Sequence, residues 1–295
     1  MGSNFQQQIE KAAVLLEALP YLQQFRGETF LIKVGGSAMD NPDLVRRLLR
    51  DIVFMEVAGI NPVIVHGGGK AISAAMKEAG LEAQFVGGQR VTTDEAMDIV
   101  ERTLSGEINP GLVEGIEGFG GRAIGVPGNE AFIGERLTGW SQEENREVKL
   151  GRVGRVVGFD LTRIHAALAT EIVPVVSPVA SEKGTSLSLN VNADLAASAL
   201  AAELKAAKLV YLSDVLGLME DPSREDSLIP SLKAEEAEGL IDDGTIGGGM
   251  IPKVRSSVEA LNAGVGKVHM IDGRISHSLL LEIFTEKGIG TEIVK

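Results

Sequence analysis

Two glycine turns stand where short apolar runs end, Lys33-Val34-Gly35-Gly36-Ser37 and His66-Gly67-Gly68-Gly69-Lys70. Such turns suit anions, because backbone without side chains lets successive N–H groups close on a phosphate and the following helix adds its positive end. Glycines also simply make tight turns, but two such turns on neighbouring strands point to an anion site. A third cluster, Gly247-Gly248-Gly249-Met250-Ile251-Pro252-Lys253, sets a lysine at the start of a helix with a proline just inside it. Lys33 is the more telling cation, since it lies at the end of a buried run, where an unpaired charge is costly. Asp194, within Asn190-Val191-Asn192-Ala193-Asp194, could hold both lysines by charge-assisted hydrogen bonds. Asn and Asp there are equally competent helix caps, and the residues leave both roles open.

The standard nucleotide fingerprints fail. A P-loop needs glycine where Ile64 stands and Ser or Thr where Ala71 stands, and a dinucleotide turn needs glycine at Ile72. Gly118-Phe119-Gly120-Gly121-Arg122-Ala123 fits a looser dinucleotide spacing but follows a helix and precedes a strand, the wrong context. Hydride chemistry is therefore unsupported, and protein-kinase signatures are absent. Of the 4 histidines, His66 and His277 stand out by position only, and none has metal-ligand spacing.

The elements that position these residues follow a strand, glycine, helix rhythm. Residues 5–24 have helical apolar spacing, with an interruption or bend expected near Pro20. Buried strands are predicted over 29–34, 62–66, 171–178, 208–212 and 267–271, and helices over 43–58, 70–78, 195–204 and 254–262. This rhythm is that of an open parallel α/β sheet, whose ligands bind beyond the carboxyl ends of the strands. Residues 121–159, rich in Gly, Arg and Glu, suggest antiparallel hairpins at the sheet edge or over a site. Two lobes in one continuous sheet are expected, with a boundary near 178–190.

Composition bounds the reading. The chain has 295 residues, 28 Lys+Arg against 41 Asp+Glu, a net charge of −13 and no Cys. That excludes disulfides, thiolate metal sites and a cysteine nucleophile, and it argues against a general nucleic-acid binder. One Trp and 9 Phe are too sparse for a base-stacking platform. With no apolar stretch near the roughly 20 residues of a membrane span and no signal-like start, a cytoplasmic location is expected.

Taken in order, Lys33-Val34-Gly35-Gly36, His66-Gly67-Gly68-Gly69, Gly88-Gln89-Arg90-Val91-Thr92, Asn190 to Asp194, Leu212-Ser213-Asp214-Val215-Leu216-Gly217 and Gly248 to Lys253 resemble the amino acid kinase family. The likeness covers nearly the whole chain and is nearest to the branch acting on N-acetyl-L-glutamate. It implies a three-layer α/β/α sandwich around a mainly parallel open sheet, with an extra N-terminal helix. Residues 1–26 would be an oligomerisation helix, 27–180 a lobe for acetylglutamate and 181–295 a lobe for ATP and arginine.

The implied reaction is phosphorylation of the side-chain carboxylate by MgATP, the metal held mainly by phosphates and water, as the second step of arginine biosynthesis. By resemblance, Lys33 and Lys253 would neutralise charge on the transferring phosphoryl group and Asp194 would orient them. Gly68, Gly69, Arg90 and Asn190 would hold acetylglutamate, and Gly35, Gly36, Ser213, Asp214, Gly249 and Lys253 would border the nucleotide. Lys208, His277, Glu282 and Gly288 match an arginine-inhibited, hexameric subset built as a trimer of dimers. Ser37, Gly88, Gln89 and Asn129 depart from the usual pattern. A related kinase of lysine biosynthesis acting on acetylaminoadipate, and a catalytically dead arginine sensor that could bind a nitrogen-signalling regulatory protein, are the competing readings. Neither a nucleic acid nor a membrane is an expected partner.

Overall fold

The computed structural model describes residues 2–141, 145–185, 187–221 and 223–295. Its strands are β1 (Thr29–Val34), β2 (Asn61–His66), β3 (Phe85–Val86), β4 (Gln89–Arg90), β5 (Ala123–Val126), β6 (Phe132–Ser141) and β7 (Arg146–Phe159). They continue as β8 (Val173–Val176), β9 (Val179–Glu182), β10 (Ser188–Val191), β11 (Lys208–Ser213), β12 (Ser231–Lys233), β13 (Lys267–Asp272) and β14 (Thr291–Val294). Eight of them form one sheet in the order β12-β14-β13-β11-β1-β2-β8-β5, parallel except where β14 meets β13. The expected parallel sheet is thus present, and its strands read as unbroken apolar runs because both faces are covered.

The covering helices are α1 (Gly2–Glu17), α2 (Leu19–Phe25), α3 (Pro42–Val57), α4 (Gly69–Glu78), α5 (Asp94–Glu101) and α6 (Asn109–Glu117), then α7 (Gly128–Ala131), α8 (Thr162–Ala169), α9 (Ala193–Glu203), α10 (Ala237–Asp242), α11 (Met250–Ala263) and α12 (Ser278–Ile283). The break between α1 and α2 falls at Ala18, and Pro20 stands in the first turn of α2, where its missing N–H is tolerated. Alternation along the central strands divides the core. Leu31, Val63, Val65, Leu209 and Tyr211 belong to a cluster with α9 and α11, whereas Phe30, Ile32, Ile64, Val210 and Leu212 pack with residues of α3, α6 and α12. Lys33 shares the parity of Leu31 and so projects toward α9 and α11.

The hairpin expected in residues 121–159 is β6 with β7, but it is not an edge of the main sheet. It closes with β9 and β10 into a separate four-stranded barrel. Gly134 and Gly154 make closure possible, because a side chain at either would press on Leu189. Both this barrel and the large sheet join strands from either side of residue 180, so the two expected lobes share one hydrogen-bonded frame. Among the described residues no helix is long and apolar enough to cross a membrane.

Candidate active site

Strand β1 delivers Lys33, helix α9 delivers Asp194 and the first turn of α11 delivers Lys253. The carboxylate sits between the two ammonium groups, Oδ1 at 2.8 Å from Lys33 Nζ and Oδ2 accepting a hydrogen bond from Lys253 at 2.7 Å. Oδ1 has no donor aligned on it, so the Lys33 contact is an ion pair rather than a directed hydrogen bond. The question left open by the residues is answered by Asn192, which caps α9 by accepting from the N–H groups of Asp194 and Leu195. That cap leaves the Asp194 side chain free for the lysines.

Both lysines are buried, at 9% and 8% exposure. Burial alone would raise the Asp194 carboxyl, but the charges of Lys33 and Lys253 overcome it and hold the group below the usual carboxylate range. Burial also brings Lys253 below the ordinary lysine value, an effect that Asp194 opposes and Lys33 reinforces. The Lys33 side chain folds back over its own turn, and its ammonium lies where a side chain at Gly35 would begin. Gly36 follows with φ +62°, a left-handed conformation that glycine adopts without a Cβ penalty.

A pocket of about 250 Å³ is lined by Lys33 and Asp194 of this triad, by both glycine turns, and by Gly88, Gln89, Arg90 and Asn190 among others; Lys253 lies behind Asp194 and is not in its lining. Gly68 and Gly69 begin α4, Gly68 as its cap residue. A Cβ at Gly68 would lie 2.6 Å from Leu104 and 2.7 Å from Ile108. Those two side chains come from a π-helical segment, Arg102–Ile108, that joins α5 to α6 and has no signature in the sequence pattern.

Arg90 Nη2 donates to the Gly69 carbonyl at 2.9 Å and to Ser73 Oγ at 2.7 Å, Nη1 reaches Met76 Sδ at 3.5 Å, and the guanidinium lies 4.8 Å from the Phe85 ring centre. A guanidinium has five N–H donors, so two remain for an anion. Asn190 Nδ2 donates to Thr92 Oγ1, which itself donates to the Arg90 carbonyl, tying the barrel to the β3–β4 hairpin.

Ser213 ends β11 and Asp214 comes within 3.9 Å of the side-chain position at Gly36, but neither they nor Gly249 line this pocket. Gly249 caps α11. Asn129 is not at the pocket; it donates to Glu101 and Ser188 instead. The Ser37 side chain lies outside the described residues.

His66 ends β2 fully buried. Because the Gly67 carbonyl can only accept, Nδ1 carries the proton at 2.9 Å and Nε2 accepts from Asn109 Nδ2 at 3.2 Å. Asn109 also donates to the Val175 carbonyl at 2.8 Å, so the ring fixes the second glycine turn to two neighbouring elements. Burial lowers its pKa to about 4. The unfolded chain therefore takes up a proton that the fold refuses, and stability falls as pH drops from about 6.5 to about 4, by up to roughly 3 kcal/mol. Urea unfolding between about pH 7.5 and 5.5 should show this slope flattened in His66→Gln; equal slopes would assign the acid lability elsewhere.

A second cleft, about 670 Å³, lies on the far side of the C-terminal half of the sheet. It is lined by Tyr21, Lys208, His269, Glu282 and Gly288 among others. The structure brings three of the four residues expected for arginine into it, but not His277. That residue, at φ +61°, turns its ring away to the Asp51 carboxylate of α3 at 2.6 Å. The histidine in the cleft is His269, whose Nδ1–H donates to Glu282 Oε1 at 2.6 Å while Nε2 accepts from Lys208 at 2.8 Å. Alternation along β13 could have singled it out, because His269 is in register with Val210 of β11, on the face toward α12. Burial lowers the Lys208 pKa to about 8. Glu282 Oε2 accepts from the Ile289 and Gly290 amides, and a side chain at Gly288 (φ +60°) would meet that same oxygen at 2.6 Å.

The amino acid kinase family profile matches residues 28–272. A protein of Akkermansia muciniphila named acetylglutamate kinase is 60% identical over 295 residues, covering 100% of this chain and 99% of that one. Proteins of the same name from Aquifex aeolicus and Methanocaldococcus jannaschii are 46% and 44% identical, over 97% and 100% of this chain and 98% and 100% of theirs. Among solved structures, an N-acetylglutamate synthase from Neisseria gonorrhoeae complexed with coenzyme A and N-acetyl-glutamate superposes with a TM-score of 0.83 at 24% identity, over 96% of this chain and 63% of that one. Carbamate kinase from Giardia lamblia bound to AMP-PNP gives 0.66 at 18% identity, over 91% and 98%. These two likenesses are of fold. With the profile spanning most of its length and full-length relatives this similar, the chain belongs to the amino acid kinase family.

Proposed function

We infer that the chain is an acetylglutamate kinase, transferring the γ-phosphoryl group of ATP to the side-chain carboxylate of N-acetyl-L-glutamate and feeding arginine biosynthesis. The observation that carries the reading is the Lys33–Asp194–Lys253 chain at the end of a pocket walled by two glycine turns and Arg90. The full-length relatives of that name support it.

A carboxylate oxygen attacks the γ-phosphorus, the bond to the bridging oxygen breaks, and ADP leaves with that electron pair. The acceptor, with a reference pKa near 4.3, is already ionised and needs no general base. That suits a site whose pocket lining contains no histidine among the described residues, while His66 beneath the second glycine turn is neutral and occupied by Gly67 and Asn109. The work left is holding two anions together and spreading charge. Lys33 and Lys253 neutralise the transferring group, Asp194 fixes both lysines, and the N–H groups of Gly36 and Gly69 meet phosphate oxygens. Arg90 and Asn190 hold the acceptor's α-carboxylate and amide end with Gly68 and Gly69. Gly35, Ser213, Asp214 and Gly249 border the nucleotide.

Among the described residues no group of three or more His, Asp or Glu side chains could hold a metal ion. A magnesium ion, which keeps several waters and favours phosphate oxygens, would be held mainly by the nucleotide phosphates and water and would offset their charge. An ADP-release assay should show turnover with acetylglutamate far above acetylaminoadipate, free glutamate or no acceptor. Equal turnover with acetylaminoadipate would move the reading to lysine biosynthesis.

The second cleft supports feedback by arginine. Glu282 and Lys208 offer opposite charges about a histidine, suited to a guanidinium and a carboxylate. Tyr21 of α2 lines this cleft, and α1 beyond it exposes Phe5, Ile9, Leu15 and Leu16. Such an apolar stripe suits interlacing of dimers into a hexamer. Deleting the residues before Arg26 should leave an active dimer with weakened arginine inhibition by sedimentation and assay; an unchanged hexamer would contradict this.

A further inference from the structure

In the central sheet, Lys33 has Val65 in register on one side and Tyr211 on the other. Residues in register on adjacent parallel strands face the same way, so Tyr211 shares the face that carries the lysine and aspartate cluster. Tyr211 is fully buried, and Lys253 Nζ lies 4.8 Å from its ring centre. The hydroxyl reaches past the lysine, Oη donating toward the Asp194 carbonyl at 3.3 Å and meeting Ser256 Oγ at 3.4 Å. Ser256 and Ser257 in turn donate to the Lys253 carbonyl, at 3.0 and 2.7 Å.

Lys253 is poorly served without the ring. It occupies the first turn of α11, where the helix's positive end disfavours a cation. It is buried, and Asp194 is already shared with Lys33. An aromatic face attracts an ammonium most strongly where water is excluded.

We propose that Tyr211 is a positioning residue for phosphoryl transfer, its ring face holding the Lys253 ammonium toward the transferring group. The ring is the working part; the hydroxyl secures its edge. This rests on the reading that Lys253 serves the transfer step.

The test compares Tyr211→Phe, Tyr211→Leu and Tyr211→Met in full-length protein, measuring kcat, both KM values and thermal midpoint. Phe, which keeps the face, should hold kcat within about threefold, while Leu and Met lower it about tenfold or more with KM values little changed. Equal kcat in Phe and Leu, or losses that follow the thermal midpoint alone, would overturn the proposal. If Leu and Met do not fold, the unsubstituted protein still decides. In its proton–carbon NMR spectrum the Lys253 ε-methylene, assigned by its loss in Lys253→Arg, should be displaced upfield by the ring current. A resonance at the ordinary lysine position would refute the contact. Lys253→Ala with undiminished kcat would instead refute the transfer reading, leaving the ring contact intact.

Discussion

Lys253→Ala should lower kcat by about 100- to 1,000-fold while changing the KM for acetylglutamate less than about threefold. Losing one preorganised donor to developing charge commonly costs about 2.7–4 kcal/mol in the transition state. The groups proposed to bind the acceptor, Arg90 and Asn190, come from other elements of the pocket wall, β4 and β10, and make their own contacts to Gly69, Ser73 and Thr92. Removing Lys253 leaves those contacts intact and, on the proposed role, takes away only a charge needed when the bridging bond breaks. Steady-state kinetics in both substrates separates the terms. A rise in KM matching the fall in kcat would make Lys253 a ground-state binding residue.

Asp194→Asn should be costly in two ways at once. Two buried ammonium groups now share one carboxylate, and replacing it with an amide leaves them facing each other without a counter-charge. Breaking a buried ion pair by removing one partner costs about 3–5 kcal/mol. Part of that is recovered if a lysine gives up its proton, but a neutral lysine cannot stabilise the transferring group. Activity should therefore drop by at least as much as in Lys253→Ala, with the loss of stability visible in urea unfolding. A fully stable Asp194→Asn protein would show that the lysines find other partners. Near-normal turnover would remove Asp194 from the machinery.

Much of this was readable in the chain because the site is built from local signals. A buried apolar run ending in glycines occurs at both β1 and β2, and β1, β2, β8, β11 and β13 lie where buried apolar runs fall. Apart from the family resemblance, the residues alone left Asp194 open, since Asn192 and Asp194 are both good caps; only the cap geometry, with Asn192 accepting both amides, separates them. The family resemblance groups His277 with Lys208, Glu282 and Gly288, which line the second cleft, but His277 does not line it. Its left-handed backbone and the Asp51 carboxylate on a distant helix draw it elsewhere, while His269 enters the cleft by strand alternation. The π-helical segment behind Gly68 and the closed barrel around β10 depend on contacts between residues far apart in sequence. No local propensity records them.

The central claim is that a carboxylate oxygen of acetylglutamate receives the phosphoryl group, and trapping the product tests it most directly. With MgATP, acetylglutamate and hydroxylamine, the protein should generate a hydroxamate of the acetylglutamate side chain in step with ADP release, because hydroxylamine displaces phosphate from an acyl phosphate. ADP release without hydroxamate, or with inorganic phosphate formed whether or not the acceptor is present, would contradict carboxylate phosphorylation.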